Sequence, residues 1–244
     1  MNNCLSPRMK RDSVRSPGRK AWIWSLLTLF LILFLLGCSS TLRQLDSMKE
    51  DYHRGNFTAI AAQEVDCRPG DEGCNQVRLI RGDACYRLAK QGVEKKEHYA
   101  CAAQELQAGI RQTESWDDLA FDLSRAALYA NLCESLRNLQ DLQAGEAAGA
   151  TGDKLLAAAR EFYRLEPDHP AAGYFLTKAR FRKIQPQFVQ ITEENRKRLC
   201  QQVRDMSQAM QEALDRFTGT EYEANYRVFI QELKMTEEVV LQCP

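Results

Sequence analysis

Apolar residues recur at intervals of three or four along most of this chain. Such spacing gathers apolar side chains on one face of an α-helix. The sequence has no alternating run of β-branched residues, bounded by turn residues, that is typical of a strand. The pattern therefore predicts an all-α fold. Three such stripes are Leu42, Leu45, Met48 and Tyr52; Leu199, Val203, Met206, Met210, Leu214 and Phe217; and Tyr222, Tyr226, Phe229 and Leu233.

Turn-forming residues divide this pattern into about nine helices of unequal length. Short connections place successive helices side by side and antiparallel, so we expect a row of helical hairpins. One long helix is predicted from Trp116 to Gln143, followed by a break across the glycine-rich segment 144–152. The other breaks are at Gly55-Asn56, the loop from Cys67 to Cys74, Gly92, residues 113–115, residues 167–170, Gln185-Pro186 and residues 218–220.

The turn at residues 52–60, Tyr-His-Arg-Gly-Asn-Phe-Thr-Ala-Ile, resembles the turn of the tetratricopeptide repeat. That turn has an aromatic residue, then Gly and Asp or Asn, then an aromatic residue that opens the second helix. We expect Gly55 to end the first helix in a left-handed conformation and Asn56 to cap the second. The rings of Tyr52 and Phe57 are expected to fill the space between them.

A second segment, residues 162–172, contains Leu165-Glu-Pro167 and resembles the closing Leu-x-Pro of the same repeat. The resemblance covers residues 41–183 and implies a right-handed array of helical hairpins, against the alternative of an irregular hairpin array. The helices of residues 191–244 resemble a hairpin that caps the end of such an array. A fainter unit is formed by Gly82, Gly92, Ala103, Leu106 and Gly109.

An apolar run at residues 21–37 follows a basic leader and ends in Leu35-Leu36-Gly37-Cys38. This junction resembles the lipobox of bacterial lipoproteins, in which the signal segment is cut before the cysteine. The resemblance implies that residues 1–37 are removed after Gly37. Residues 38–40 then form the new amino terminus, with diacylglycerol and a fatty acyl chain such as palmitate on Cys38.

In that family, Ser39 after the cysteine implies sorting to the outer membrane, facing the periplasm. The alternative is an uncleaved signal anchor, since the apolar run spans roughly 25 Å as a helix against a hydrocarbon core about 30 Å thick. Both interpretations export the rest of the chain, because the basic flank stays in the cytoplasm. The membrane, reached through a lipid anchor, is therefore the first expected partner.

Removal of the leader makes the chain mildly acidic. Residues 1–37 hold six of the 33 Lys and Arg and one of the 33 Asp and Glu, which leaves 27 against 32, a net charge of −5. With no basic stripe, the sequence offers nothing to neutralise phosphates, and nucleic acid is excluded as a partner. The remaining residues are enough for one domain with a core of its own.

Export also places the cysteines in an oxidising compartment, where disulfides persist. Cys67 and Cys74 flank a turn-rich loop whose ends must lie close together. Cys200 and Cys243 lie equally far from the turn near Tyr222, as expected for facing positions of a helix pair. We therefore predict a disulfide within each of these two pairs.

Cys85 and Cys101 show the same symmetry about Val93, but Cys101 is also placed to reach Cys133 on the next helix. The sequence leaves these pairings open. Cys133 continues an apolar stripe and is our candidate for an unpaired, buried thiol. The histidines have no metal-ligand spacing with the cysteines, so no metal site is predicted.

Motifs for nucleophilic, phosphate or dinucleotide chemistry are missing from the sequence, and neither a catalytic residue nor a cofactor is predicted. Glu161, Glu166 and His169 come nearest to a catalytic cluster, although a histidine in a proline turn is usually a turn residue. Four aromatic residues are interpreted as core, with a groove lining as the alternative: Tyr174, Phe175, Phe181 and Phe188.

The sequence therefore predicts a non-enzymatic, lipid-anchored envelope protein, a scaffold or adaptor whose helices bind a protein or peptide partner. One alternative is an accessory of solute transport with an internal ligand cavity, and another is a purely structural component. The shape of the cavity discriminates between the first two. A closed apolar tunnel favours a solute, and an open polar concavity favours a protein.

Overall fold

The structure, a computed structural model, describes residues 40–116, 119 and 123–244. Residues 41–244 form one compact unit. The described residues are helical with no strand, which confirms the all-α prediction. Among the described helices, none combines the length and apolar character needed to cross a membrane.

The described residues form nine α-helices. A 3-10 turn at Gln185–Val189 follows α7, and a π-helical turn at Thr236–Val240 extends α9. The α-helices are α1 (40–53), α2 (Phe57–Ala62), α3 (Cys74–Lys90), α4 (Lys95–Gln112), α5 (Arg125–Asp141), α6 (Gly145–Leu165), α7 (Pro170–Ile184), α8 (Glu193–Arg216) and α9 (Glu223–Met235).

Local sequence explains where several helices begin. The hydroxyl of Ser124 accepts a hydrogen bond from the backbone of Ala127 at the start of α5. Pro170 occupies the first turn of α7, where its fixed φ suits the helix and no amide hydrogen is needed. Thr192 and Asn195 form a reciprocal capping box at the start of α8. These caps satisfy amide groups that a helix end otherwise leaves without partners.

Two predicted boundaries are wrong. The helix expected from Trp116 to Gln143 begins only at Arg125, because Ser124 caps it there. The break expected across residues 144–152 is confined to residues 142–144, and α6 runs through the rest of this segment from Gly145. Gly152 lies inside α6, where a Cβ would be 2.6 Å from Nε2 of the Gln140 side chain, so this glycine lies beside α5 and does not end the helix.

The turn between α1 and α2 follows the expected form with one difference. Gly55 has a φ of 73°, and the rings of Tyr52 and Phe57 lie 5.6 Å apart, edge to face. Asn56 stands at the N-cap of α2, but its side chain makes no capping bond and donates to Asp51 at 3.3 Å. The expected capping role of Asn56 is therefore wrong.

Successive helices pack on one another from α2 to α9, and α3, α5, α7 and α9 also contact one another in that order. A continuous apolar core runs along the row. Its largest fully buried side chains are aromatic: Tyr226, Phe162, Phe175, Phe181 and Phe229.

Two glycines allow α3 and α4 to approach closely. A Cβ on Gly82 would lie 2.7 Å from Cγ of Leu106, and one on Gly109 would lie 2.8 Å from Leu79. Any larger residue at either position requires the two helices to separate. Gly82 and Gly109, which the sequence analysis placed in a faint repeat unit, thus mark a close contact between the backbones of α3 and α4.

The structure pairs six cysteines, with Cα atoms 5.7 to 6.0 Å apart. Cys67–Cys74 closes the loop before α3, and Cys200–Cys243 ties the C-terminal segment to α8. Cys101, whose partner the sequence left open, forms a disulfide with Cys85 and so links α4 to α3.

Candidate functional site

A cleft of about 340 Å³ lies between helices that alternate along the chain, α3, α5, α7 and α9. Its lining residues belong to these helices and to the segments just before α7 and α9. Lys90, Glu221 and Asn225 border the cleft and are exposed, so it is continuous with solvent. The cleft is neither a sealed cavity nor a flat surface.

Helix α5 supplies one full face of the cleft. Its lining residues are Ala127, Ala130, Asn131, Glu134 and Arg137, which follow the three-and-four spacing of one helix side. The small residues in the first half of the helix leave room for a ligand. The longer polar residues in the second half place hydrogen-bonding groups along one side of that space.

Glu134 organises the polar part of the cleft. Its carboxylate accepts hydrogen bonds from Lys90 Nζ at 2.8 Å and from the Tyr86 hydroxyl at 2.7 Å, and a nitrogen of Arg137 lies 3.6 Å away. Burial opposes ionisation of Glu134, but the bonds from Lys90 and Tyr86 and the charge of Arg137 outweigh it, and the pKa lies below its ordinary value. Glu134 is therefore ionised at neutral pH.

Aromatic rings form the opposite side of the cleft. The ring centroid of Tyr174 lies 5.2 Å from that of Phe175 and 6.1 Å from that of Tyr222. Arg137 donates to the Tyr174 hydroxyl at 3.3 Å. Burial raises the pKa of Tyr174 and of Tyr222, so both phenols remain protonated. This wall offers flat apolar faces with hydroxyl groups at their edges.

A buried carboxylate holds the α5 wall in place. Asp83 of α3 is fully buried and accepts hydrogen bonds from Tyr52 of α1 at 2.6 Å, Arg87 at 2.6 Å and Asn131 of α5 at 2.8 Å. A buried charge needs such partners to be tolerated. Because Asn131 also lines the cleft, this cluster fixes the wall relative to α1 and α3.

Sequence reasoning missed the cluster around Asp83. Tyr52 lies 31 residues and Asn131 lies 48 residues from Asp83, and no local motif joins them. The only signal was an aspartate at a position where the apolar stripe of α3 calls for an apolar residue. Such a position marks a buried polar group that needs partners from elsewhere in the chain.

The acidic residues near the proline turn do not assemble a catalytic cluster. Glu161 and Glu166 each form an ion pair with an arginine. Nδ1 of His169 accepts a hydrogen bond from the backbone of Ala171 at 3.2 Å, and burial lowers the pKa of this histidine. His169 borders the cleft as a neutral turn residue.

The four aromatic residues of uncertain role divide between cleft and core. Tyr174 and Phe175 are buried and also line the cleft. Phe181 is fully buried, with its ring 5.6 Å from that of Phe229, and Phe188 packs on it at 5.9 Å. The sequence pattern held no information to separate these two pairs.

Cys133 is an unpaired, buried cysteine. Burial raises the pKa of its thiol, which keeps the sulfur protonated and inert. No cluster of three metal-ligating side chains occurs in the part of the chain that the structure describes. The predicted cleavage position Gly37 and the predicted lipid-bearing residue Cys38 lie outside the described residues.

No protein-family model, no curated protein and no solved structure matches this chain.

Proposed function

We propose that this chain is a non-enzymatic, lipid-anchored protein of a bacterial envelope whose cleft binds a peptide segment of a protein partner. The observation that carries the proposal is the polar lining of a cleft that is continuous with solvent. In this role the protein is a scaffold or adaptor, and its binding surface is formed by helices α3, α5, α7 and α9.

A tetratricopeptide-like array of antiparallel hairpins accounts for the helix contacts. In such an array each helix packs on the next, and alternate helices line one concave side. Helices α3, α5, α7 and α9 contact one another in order, and the same helices border the cleft. The turn with Gly55 between Tyr52 and Phe57 supports the same interpretation.

The chemistry of the lining supports a peptide as the ligand. Peptide groups need both donors and acceptors, which Asn131, Asn225 and Glu134 supply, while the rings of Tyr174 and Tyr222 suit apolar side chains. A solute accessory requires an enclosed apolar cavity, and this cleft is polar and borders solvent. The peptide interpretation is therefore favoured over the solute interpretation.

The lipid anchor comes from the resemblance of Leu35-Leu36-Gly37-Cys38 to a lipobox. Acyl chains on Cys38 hold the protein stably when two or more are present. With Ser39 as the next residue, we place the protein at the outer membrane, facing the periplasm. Residues 41–183 then form the array and residues 191–244 its capping hairpin.

Site-specific photo-cross-linking tests the peptide proposal. A photoreactive amino acid replaces Ala127 inside the cleft, and a matched variant carries it at Ala157 on the exposed face of α6. We expect a defined cross-linked partner from position 127 in native membranes and none from position 157. Adding Ala130→Trp, which fills the cleft, should abolish that product.

Identical products from both positions, or a product unaffected by Ala130→Trp, contradict the role of the cleft. The anchor is tested separately by Cys38→Ser. We expect the Cys38→Ser chain to keep residues 1–37 and to carry no lipid, both of which the mass of its amino-terminal peptide reports. The anchor proposal is contradicted if Cys38→Ser is processed like the original protein and Cys38 of the original protein carries no lipid. The cleft experiment does not depend on this result.

A further inference from the structure

The outer face of α9 and of its π-helical extension carries an apolar stripe. Val228 is 66% exposed, Met235 is 64% exposed and Val239 is 66% exposed. The opposite side of the same helix is buried against the core through Phe229 and Leu233. Helix α9 is thus apolar on two sides, and only one of them has a partner within the described chain.

Single exposed apolar residues are common, but a row of them along one helix face marks a contact surface. This row lies on α9 and its extension, the last of the helices that the structure describes. A row of stacked helices ends in a helix whose outer side has no further neighbour, and a polar outer face normally covers that end. The hairpin that was expected to cap the array therefore leaves an apolar surface of its own.

Charges beside the stripe favour a particular occupant. Arg227 and Glu238 are eleven residues apart, about three helical turns, so they lie on the same flank of the helix. Val228 and Val239 have the same separation within the stripe. A second α9 that runs antiparallel across the stripe therefore places Arg227 opposite Glu238 and Val228 opposite Val239, at both ends of the contact.

We propose that α9 is the contact surface for a second copy of this chain, packed antiparallel about a two-fold axis at the level of residues 232–234, midway between Val228 and Val239. An interface with two-fold symmetry must be self-complementary, and this surface is.

Arg227 pairs with Glu223 of its own helix at 2.7 Å but is more than half exposed, so its guanidinium can also meet a second carboxylate. Glu238 forms no ion pair within the described residues, and its carboxylate is placed to meet Arg227 of the second copy. A lipid surface suits the stripe less well, because Glu238 lies beside it and repels anionic headgroups, whereas the charge of Glu237 is paired with Arg204.

The size of the stripe sets the strength of the contact. A stable complex buries about 800 Å² on each partner, and a stripe along one helix is smaller. We expect a weak dimer in dilute solution and a well-populated one where chains are confined to one membrane. Only this local concentration depends on the proposed anchor, and the contact does not depend on the cleft.

Cysteine cross-linking of the full chain in its membranes tests the contact. With a short bismaleimide linker, Met235→Cys should yield a cross-linked dimer, because this exposed residue lies within one helical turn of the two-fold axis and therefore near its own copy. The matched control is Val93→Cys, an exposed apolar position in the turn between α3 and α4, which should remain monomeric. Val228→Cys should cross-link to Val239→Cys on a second chain and not to itself.

A charge swap gives the sharpest test. In the Met235→Cys background, Arg227→Glu and Glu238→Arg should each remove most of the dimer through like-charge repulsion, and the double variant should restore it. Circular dichroism of each variant checks the helix content. The proposal is overturned if Met235→Cys gives no more dimer than Val93→Cys, or if both single swaps leave the dimer unchanged. A failure to cross-link a partner in the cleft does not change the dimer expected here, so each proposal can be contradicted without the other.

Discussion

The α3–α4 pair and the α7–α9 pair are held together in different ways. Helices α3 and α4 approach through Gly82 and Gly109, and the disulfide Cys85–Cys101 joins them. Helices α7 and α9 meet through large rings, with Phe229 6.0 Å from Tyr174 and 5.6 Å from Phe181. The first contact joins backbones, and the second contact joins side chains.

This difference explains where the cleft forms. Backbones in contact leave no space between helices, whereas a layer of rings separates α7 from α9 and leaves flat aromatic faces beside a gap. Helix α5 lies between the two regions and meets one with Asn131 and the other with Arg137. The tight pair thus supplies a rigid base, and the aromatic pair supplies the surface of the cleft.

The largest effect is expected in the aromatic region. Phe229→Ala removes a fully buried ring that also carries the ammonium of Lys178 at 4.2 Å from its centroid. We expect a loss of about 3–5 kcal/mol in the free energy of unfolding, measured by urea titration. Phe188→Ala, at a partly buried ring, should cost clearly less. Equal costs would mean that the ring cluster does not hold α9 in place.

The next largest loss of stability is expected at the cluster around Asp83, which lies on α3 of the α3–α4 pair. Tyr52→Phe keeps the ring but removes the hydroxyl that donates to Asp83 at 2.6 Å. We expect a cost of about 1.5–3 kcal/mol, because a buried charge loses a donor. Tyr163→Phe, at an exposed tyrosine, is the matched control and should change stability by less than about 0.5 kcal/mol.

Glycine replacement tests the contact between backbones. Gly82→Ala forces α3 and α4 apart, and we expect it to destabilise the protein by about 1–3 kcal/mol. Gly149→Ala places the same methyl group inside α6 with no atom within 4 Å, and should stabilise the protein by about 0.5–1 kcal/mol. If both variants change the free energy of unfolding in the same direction, the α3–α4 contact is looser than described.

The smallest effect is a pH dependence at Glu134, between the two regions. The pKa of Glu134 in the folded protein lies below 4.5, its ordinary value, so its stabilising contribution is present above that pH and is lost as pH falls through the folded pKa. Because Lys90 is half exposed, we expect a difference of about 1 kcal/mol or less between Glu134→Gln and the original protein at pH 7. This difference should shrink by pH 3 in urea titrations, and a constant difference contradicts an ionised Glu134. Glu114→Gln, at an exposed residue, controls for loss of charge.

Much of the fold could be predicted from local spacing. The stripe that contains Leu199, Val203 and Met210 predicted a helix because apolar residues recur every three or four positions, which is one helical turn. Most of the segment 144–152 was predicted incorrectly, since glycine can interrupt a helix but can also lie inside one, as Gly149 and Gly152 do in α6. Which role a glycine plays depends on its neighbours in space.

The candidate site was less accessible to sequence reasoning. Glu134 gains its role from Lys90 and Tyr86, which lie 44 and 48 residues away. Tyr174 and Phe181 belong to the same helix and the same residue class, yet one lines the cleft and the other lies in the core.

The sequence by itself determined the helical class, the helix periodicity and the Cys67–Cys74 and Cys200–Cys243 pairs, because these depend on residues close along the chain or symmetric about a turn. Only the tertiary structure decided that Cys101 bonds to Cys85, that Asp83 joins three helices and that alternate helices enclose a polar cleft. These features arise from contacts between distant segments, whose geometry is set by packing of the whole core.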